Sequence, residues 1–464
     1  MSTAPRFTRA IGAADGIAPA HWLRSGLLAL ILLAVTGGLT PASAMKIQAV
    51  TSPGGVKAWL VEAHEIPLIA MRFAFAGGSA QDPTGKGGLA YFVSGMLDEG
   101  AGDLKSVAFQ ERLEETAVRM NFDATRDVFL GSFQTLTNKA DEGFELLRLA
   151  LNEPRFDEDA VVRIRQQILA GLEFELHDPE DVATREWFRL AFGDHPYARP
   201  VNGIKESVGA IGAGDLKSYA GKVFARDTLK IAVVGDIDAE TLGKVLDKVF
   251  GALPEKATLK DIPEAAPPVG PREQVFEMNV PQSVAQFGHR GFKRHDDDFI
   301  AAYVLNYILG GGGFSSRLMG EVREKRGLAY SVYSYIQPYE HAAVYAGNVA
   351  TKNEAIEQSL EVIKSEIARM AEKGPTAQEL KEAKQYLVGS YALRFDTSNK
   401  IASQLIWIQI QDLGLDYIDK RNGMIEAVGL DDVKRVAKRL LKADGLIVTI
   451  VGKPPSSPKK PARS

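Results

Sequence analysis

An α+β fold, built twice in tandem, is the architecture that this 464-residue chain predicts, and three observations predict it. Asp215 to Asp236 lies without a gap over Asp432 to Lys453, at an offset of 217 residues. Seven of those 22 positions are identical: Asp215/Asp432, Lys217/Lys434, Ala220/Ala437, Asp227/Asp444, Leu229/Leu446, Val234/Val451 and Gly235/Gly452. Chance pairing gives roughly one or two at average residue frequencies. A second echo comes one residue later, where Gln167-x-Leu169-x-Gly171 answers Gln385-x-Leu387-x-Gly389. The third observation is the order of hydrophobic patterns in each half, alternating first and helical afterwards. A period this long indicates domain duplication, because solenoid repeats run to roughly 50 residues at most. Each copy is expected to be a mostly antiparallel sheet with helices packed on one side.

The elements follow in chain order. Residues 1–44 place Arg6, Arg9 and Arg24 ahead of an apolar run from Gly26 to Val35 and the small residues Ala42-Ser43-Ala44. This reads as a secretory signal peptide, cleaved after Ala44. The apolar run is roughly half the length that spans a bilayer, so no membrane anchor is expected after cleavage. The first domain is expected over 45–255. Val56 to Val61 and Leu68 to Phe75 alternate like half-buried strands, and Asp157 to Leu176 carries Val161, Ile164, Ile168 and Leu172 at helical spacing. An edge strand near Phe73 to Ala76 is expected to be open to backbone pairing. The half closes on a helix and the apolar strand Ile231 to Val234. A linker over 256–271 is rich in proline and lacks apolar periodicity. The second domain, 272–453, ends on the matching strand Ile447 to Val451, and 454–464 is too polar and proline-rich to order itself.

Composition narrows the function. A net charge of -4 supplies no basic field for phosphate backbones, so nucleic acid is not an expected partner. Cleavage at Ala44 would remove a net +2 and leave -6. The chain has no cysteine, which excludes disulfides, thiolate nucleophiles and cysteine-bearing metal sites.

Several segments, in order, resemble the insulinase and mitochondrial-processing-peptidase family, the pitrilysin-type inverzincins. They are Phe75 to Pro83, Gly88 to Met96, His195-Pro196-Tyr197 with Gly203, Ser316-Arg317-Leu318, and Arg323 to Tyr330. The resemblance implies domains of the α+β kind in pairs, and for active members an inverted His-x-x-Glu-His motif on the first helix. Two imidazoles one turn apart bind zinc there, and the carboxylate takes a proton from the zinc-bound water. Here the same frame reads Ala90-Tyr91-Phe92-Val93-Ser94-Gly95-Met96. Tyr91 and Gly95 stand where the histidines would be and Ser94 where the general base would be. The family's third ligand would fall near Glu173 or Glu175, either of which reads equally as a solvated helix charge. None of the seven histidines forms a pair at metal-ligand spacing on a helix. No cofactor is expected on this chain.

The resemblance also implies an arginine and a tyrosine, seven residues apart in the second half, that act on substrate. Arg323 and Tyr330 match that element. A guanidinium can hold a substrate oxygen and a phenol can donate to a developing oxyanion. The plainer reading has Arg323 solvating a helix end and Tyr330 packing in a strand. Gly310 to Gly313 lacks the lysine of a phosphate loop and reads as a flexible turn or simple loop geometry. His195 reads as a loop residue, and Tyr333 and Tyr335 as strand residues.

A chain with the arginine-tyrosine half and without the zinc half resembles one subunit of the family's heterodimeric bacterial peptidases. The expectation is a periplasmic or secreted protein, inactive alone, that supplies Arg323 and Tyr330 to a zinc-bearing homologous partner for proteolysis of extended peptides. The alternative is a non-catalytic scaffold or assembly member of the same family.

Overall fold

The computed structural model describes residues 45–268 and 270–453. The expected signal peptide at 1–44 and the tail at 454–464 lie outside the described residues. Residues 47–453 belong to one compact unit, and the chain builds two sheets within it.

Eight of the first half's strands are β1 (Gln48–Thr51), β2 (Lys57–Glu62), β3 (Leu68–Ala76), the small hairpin β4 (Gly100–Ala101) and β5 (Leu104–Lys105), β6 (Arg119–Ala124), β7 (Val128–Leu136) and β8 (Lys230–Gly235). Six of them form one sheet in the order β1-β2-β8-β3-β7-β6. Only β2 and β8 pair in parallel among these neighbours. The second half supplies β9 (Arg272–Glu277), β10 (Gln282–Arg290), β11 (Ala329–Pro338), β12 (Ala343–Lys352) and β13 (Ile447–Gly452). Their order is β11-β12-β10-β13-β9, parallel only between β13 and β9. This is the mostly antiparallel α+β class that the sequence predicts.

The repeat at 217 residues has a physical counterpart. Helix Ala213–Val223 leads to β8 and helix Leu430–Leu440 leads to β13, so both helices and both strands start and stop at the same offset. Asp215 and Asp432 each accept the backbone N–H of the glycine three residues before, at 2.8 and 3.0 Å, closing the first turn. Gly235 and Gly452 end the strands at φ 144° and 148°, where any side chain would run into Leu68 and Ser283 respectively. Repetition of sequence at these positions is repetition of cap, strand and stop.

Each sheet buries one face against helices of its own half. Phe73, Phe75, Phe129 and Phe133 point into the first core, and Ala285, Phe287, Tyr345 and Val349 into the second. The opposite faces exchange helices. Helix Pro179–Phe192 of the first half lies on β10 and β13, and helix Ser398–Ile410 of the second half lies on β3 and β8. Trp187 is fully buried there, its ring 2.8 Å from where a Cβ on Gly288 would stand. Thr449 Oγ1 donates to Ala183 O at 2.7 Å across the same seam. In the reciprocal contact Gln409 Nε2 donates to Ile231 O at 2.8 Å. The central strands β10 and β13 of the second sheet are therefore buried on both faces, with polar residues such as Thr449 hydrogen-bonded across the seam.

One expectation is corrected. Phe73 to Ala76 is not an edge: β3 lies inside its sheet, paired with β7 through Ala76 and with β8 through Ala74. A strand of eight apolar residues and one arginine looks alike at an edge or in the middle, because an apolar pattern reports burial of faces and says nothing of neighbours in the sheet plane. The first sheet's edges are β1 and β6.

Candidate functional site

The zinc-motif frame lies on the short helix Leu89–Ser94. Its start is fixed by Asp82, whose buried carboxylate accepts the backbone N–H groups of Gly88, Leu89 and Ala90 at 2.8, 3.1 and 3.0 Å. Burial pushes the Asp82 carboxyl up to about 7, against those three donors and the nearby Arg199.

The three substituted positions each have a structural occupation. Ser94 is buried and its hydroxyl donates to Tyr91 O at 2.7 Å, satisfying a helix-end carbonyl. At Gly95 a Cβ would stand 3.4 Å from Ile164 of the long helix Glu158–Glu175, so the two helices touch across the missing side chain. Tyr91 is half-exposed, and burial raises its phenol above the ordinary value, with the charges of Glu175 and Asp123 pushing the same way. A neutral phenol among carboxylates is a hydrogen-bond donor and a poor metal ligand.

The two glutamates left open by sequence separate here. Glu173 is exposed and pairs with His177 at 3.5 Å. Glu175 is half-buried, takes both of its contacts from Asn202 Nδ2 at 2.7 Å, and is the one whose charge Tyr91 feels. Among the described residues no group of three or more histidine, cysteine or acidic side chains could hold a metal ion. The residues present do not fit zinc: one carboxylate, tied to an amide, faces a phenol, a serine already bonded to backbone and a glycine.

The second half brings Arg323 and Tyr330 together. Arg323 lies on a wide, π-helical turn, Met319–Glu324, the kind of local unwinding that recurs at functional sites. Tyr330 falls where the register of β11 on β12 slips: Ala329 opposes Thr351 and Ser331 opposes Ala350, which leaves Tyr330 as the extra residue of a bulge. A bulge re-aims the side chain it carries. Tyr330 is 75% exposed, so it does not pack in the strand. The Arg323 guanidinium carbon lies 4.8 Å from the Tyr330 ring centroid.

Electrostatics set Arg323 apart from its neighbours. Glu321 binds Lys325 Nζ at 2.6 Å and Arg326 Nη1 at 2.7 Å, with Arg369 Nη2 at 3.3 Å. Those cations hold its carboxyl down at about 2. Among the described residues Arg323 has no carboxylate partner, so its donors remain available. Behind it, Arg317 grips Glu379 through two bonds, of 2.6 and 2.7 Å.

The glycine run is close-packed at its start and open at Gly313, where nothing lies within 4 Å of a Cβ. Gly310 and Gly311 belong to a second π-turn, Tyr307–Gly311, and a side chain at Gly310 would collide with Ser334 of β11. His195 caps a short turn, its Nδ1 accepting from Tyr197 N at 3.2 Å. Tyr333 and Tyr335 lie on β11 as expected, and Tyr333 also donates to Glu180 Oε1 of the first half at 3.2 Å. A cavity of about 770 Å³ between the halves, lined by Arg126, Tyr339 and Trp407 among others, contains neither Arg323 nor Tyr330. Sequence reasoning named Glu175 as one of two candidates but missed Asn202, Asp123 and Phe314, which left no signal in the motif spacing.

Comparison with known proteins agrees with this geometry. The family described as insulinase, peptidase family M16, matches residues 60–203, and the peptidase M16 inactive domain matches residues 210–387. A protein of Helicobacter pylori named non-peptidase homolog YmxG is 29% identical over 91% of this chain and 98% of its own length. The crystal structure of a peptidase M16 inactive domain from Pseudomonas fluorescens superposes with a TM-score of 0.84 at 30% identity, covering 90% of this chain and 100% of that one. A protease from Helicobacter pylori shares the fold at a TM-score of 0.80 and 20% identity, over 88% of this chain and 99% of that one.

Proposed function

This chain belongs to the insulinase family, peptidase family M16, and from that membership we propose that it is the zinc-free subunit of a two-chain peptidase. In this reading it supplies Arg323 and Tyr330 to extended peptides held at the zinc of a homologous partner. The observation that carries it is the pairing of a half-buried, carboxylate-free Arg323 with an exposed, bulged-out Tyr330, in a chain whose own motif positions are Tyr91, Ser94 and Gly95. Two donors without an acceptor among the described residues suit a substrate oxygen presented from outside the chain. The unpaired edge of β6, beside the helix Leu89–Ser94, suits backbone pairing with an extended peptide. Export to the periplasm or beyond is part of the same proposal and rests on the N-terminal sequence alone.

The test is peptide hydrolysis by this chain, by a zinc-bearing homologue from the same organism, and by the mixture, with assembly followed by gel filtration. Activity of the mixture well above either component is expected. Full activity of an assembled Arg323→Ala/Tyr330→Phe pair would remove the catalytic role. The name of the Helicobacter pylori relative, a non-peptidase homolog, favours a second reading, a non-catalytic scaffold, which that outcome would leave standing.

A further inference from the structure

We propose that Phe314 is a positioning residue, the second wall of an aromatic clamp that holds the Arg323 guanidinium by both faces. The Arg323 guanidinium carbon lies 4.8 Å from the ring centroid of Phe314 and 4.8 Å from that of Tyr330. Phe314 is 65% exposed, which for a phenylalanine in a fixed turn has no packing rationale. The turn is fixed: Gly313 takes φ 57°, Ser315 Oγ donates to Gly312 O at 2.8 Å and Ser316 Oγ to Gly313 O at 2.7 Å. Arg317 then anchors the segment to Glu379. The glycines and serines around Phe314 thus present one ring to one cation.

The electrostatic setting explains why the clamp is needed. Elsewhere on this turn Glu321 collects Lys325, Arg326 and Arg369. An arginine orients readily against a carboxylate, but such a partner would occupy the donors that a ligand needs. Two aromatic faces orient the guanidinium through its π surface and leave the N–H edge free. The clamp therefore selects an oxygen acceptor that approaches in the guanidinium plane, a peptide carbonyl or a carboxylate. Its consequence for turnover rests on the subunit reading above; the clamp itself does not.

The experiment measures the clamp without a partner chain. Purified protein is treated with phenylglyoxal, which attacks the guanidinium, and modification of Arg323 is timed by mass spectrometry of the digest. Phe314→Leu is expected to speed modification of Arg323 by about two- to fivefold, the equivalent of one exposed cation–π contact, while Arg317 and Arg326 are unchanged. Phe314→Trp is expected to restore the slow rate. Equal rates at Arg323 in the wild type and Phe314→Leu would overturn the clamp. In a reconstituted active pair, Phe314→Leu is expected to raise KM more than it lowers kcat, and Phe314→Trp to rescue it. An inactive pair with altered Arg323 reactivity would leave the clamp intact and count against the subunit reading alone.

Discussion

The indole N–H of Trp187, on the helix that the first half lends to the second, donates to the carbonyl of Ile447 on β13 at 3.0 Å. Trp407, on the helix lent in return, is 43% exposed. The exchange is therefore reciprocal in topology and unequal in packing. Trp187→Ala is expected to cost about 3 to 5 kcal/mol, because it empties a fully buried ring site and orphans a strand carbonyl. Trp407→Ala is expected to cost about 1 kcal/mol or less. Urea denaturation of the two variants measures both, and equal losses would refute the asymmetry.

Turnover in a reconstituted pair separates the two donors. Tyr330→Phe removes one exposed hydroxyl, so stability is expected to stay within about 0.5 kcal/mol of the parent. kcat is expected to fall by about a hundredfold to a thousandfold, as for one lost oxyanion donor. Arg323→Ala is expected to raise KM as well, since a guanidinium also grips the ground state. Thermal melts beside steady-state kinetics provide the check, and a destabilised Tyr330→Phe would point to a packing role.

Zinc content follows from the three motif positions. At low micromolar concentration after dialysis the protein is expected to hold far less than one zinc per chain. Gly95→His should not recruit the metal, because one imidazole falls short of the three protein ligands of a catalytic site. Its Cβ would stand in van der Waals contact with Ile164 at 3.4 Å. One tightly held zinc per wild-type chain by elemental analysis would contradict the site described here.

Acid stability is tied to Glu321. Lys325 and Arg326 hold its carboxyl at about 2 in the fold, below the ordinary 4.5. A depressed acid stabilises the fold above its unfolded value, and that contribution is lost as pH falls from 4.5 toward 2. Glu321→Gln is expected to be less stable than the parent at pH 7 and to show a shallower pH dependence in that window. Parallel pH profiles for the two proteins would rule out the linkage.

Export rests on residues 1–44. The mature protein in the native organism is expected to begin at or close to Met45. N-terminal sequencing that finds residues 1–30 on soluble cytoplasmic protein would reject it.

The sequence by itself determined the duplication, the α+β class and the loss of the zinc motif. Caps, strand ends and core strands depend on residues near in the chain, so Asp215, Gly235 and the apolar run of β3 are legible locally. The strands Lys57–Glu62 and Leu68–Ala76 and the helix Glu158–Glu175 fall within one residue or so of their sequence expectations. What lies across from an element is not written in its own period. Amphipathic spacing in Pro179–Phe192 announces a buried face, but only the folded chain decides that the other half's sheet covers it. The same reason put Phe73 to Ala76 at an edge in sequence and inside the sheet in space. Arg323 and Tyr330 were legible as a spaced pair. Their contact was not, because it depends on a one-residue slip of β11 against β12 that frees Tyr330 from the ladder. Phe314 joins them through a glycine-led turn whose direction is fixed by Glu379, 65 residues further along the chain. Distances set by such non-local pairs exist only once the tertiary structure has closed.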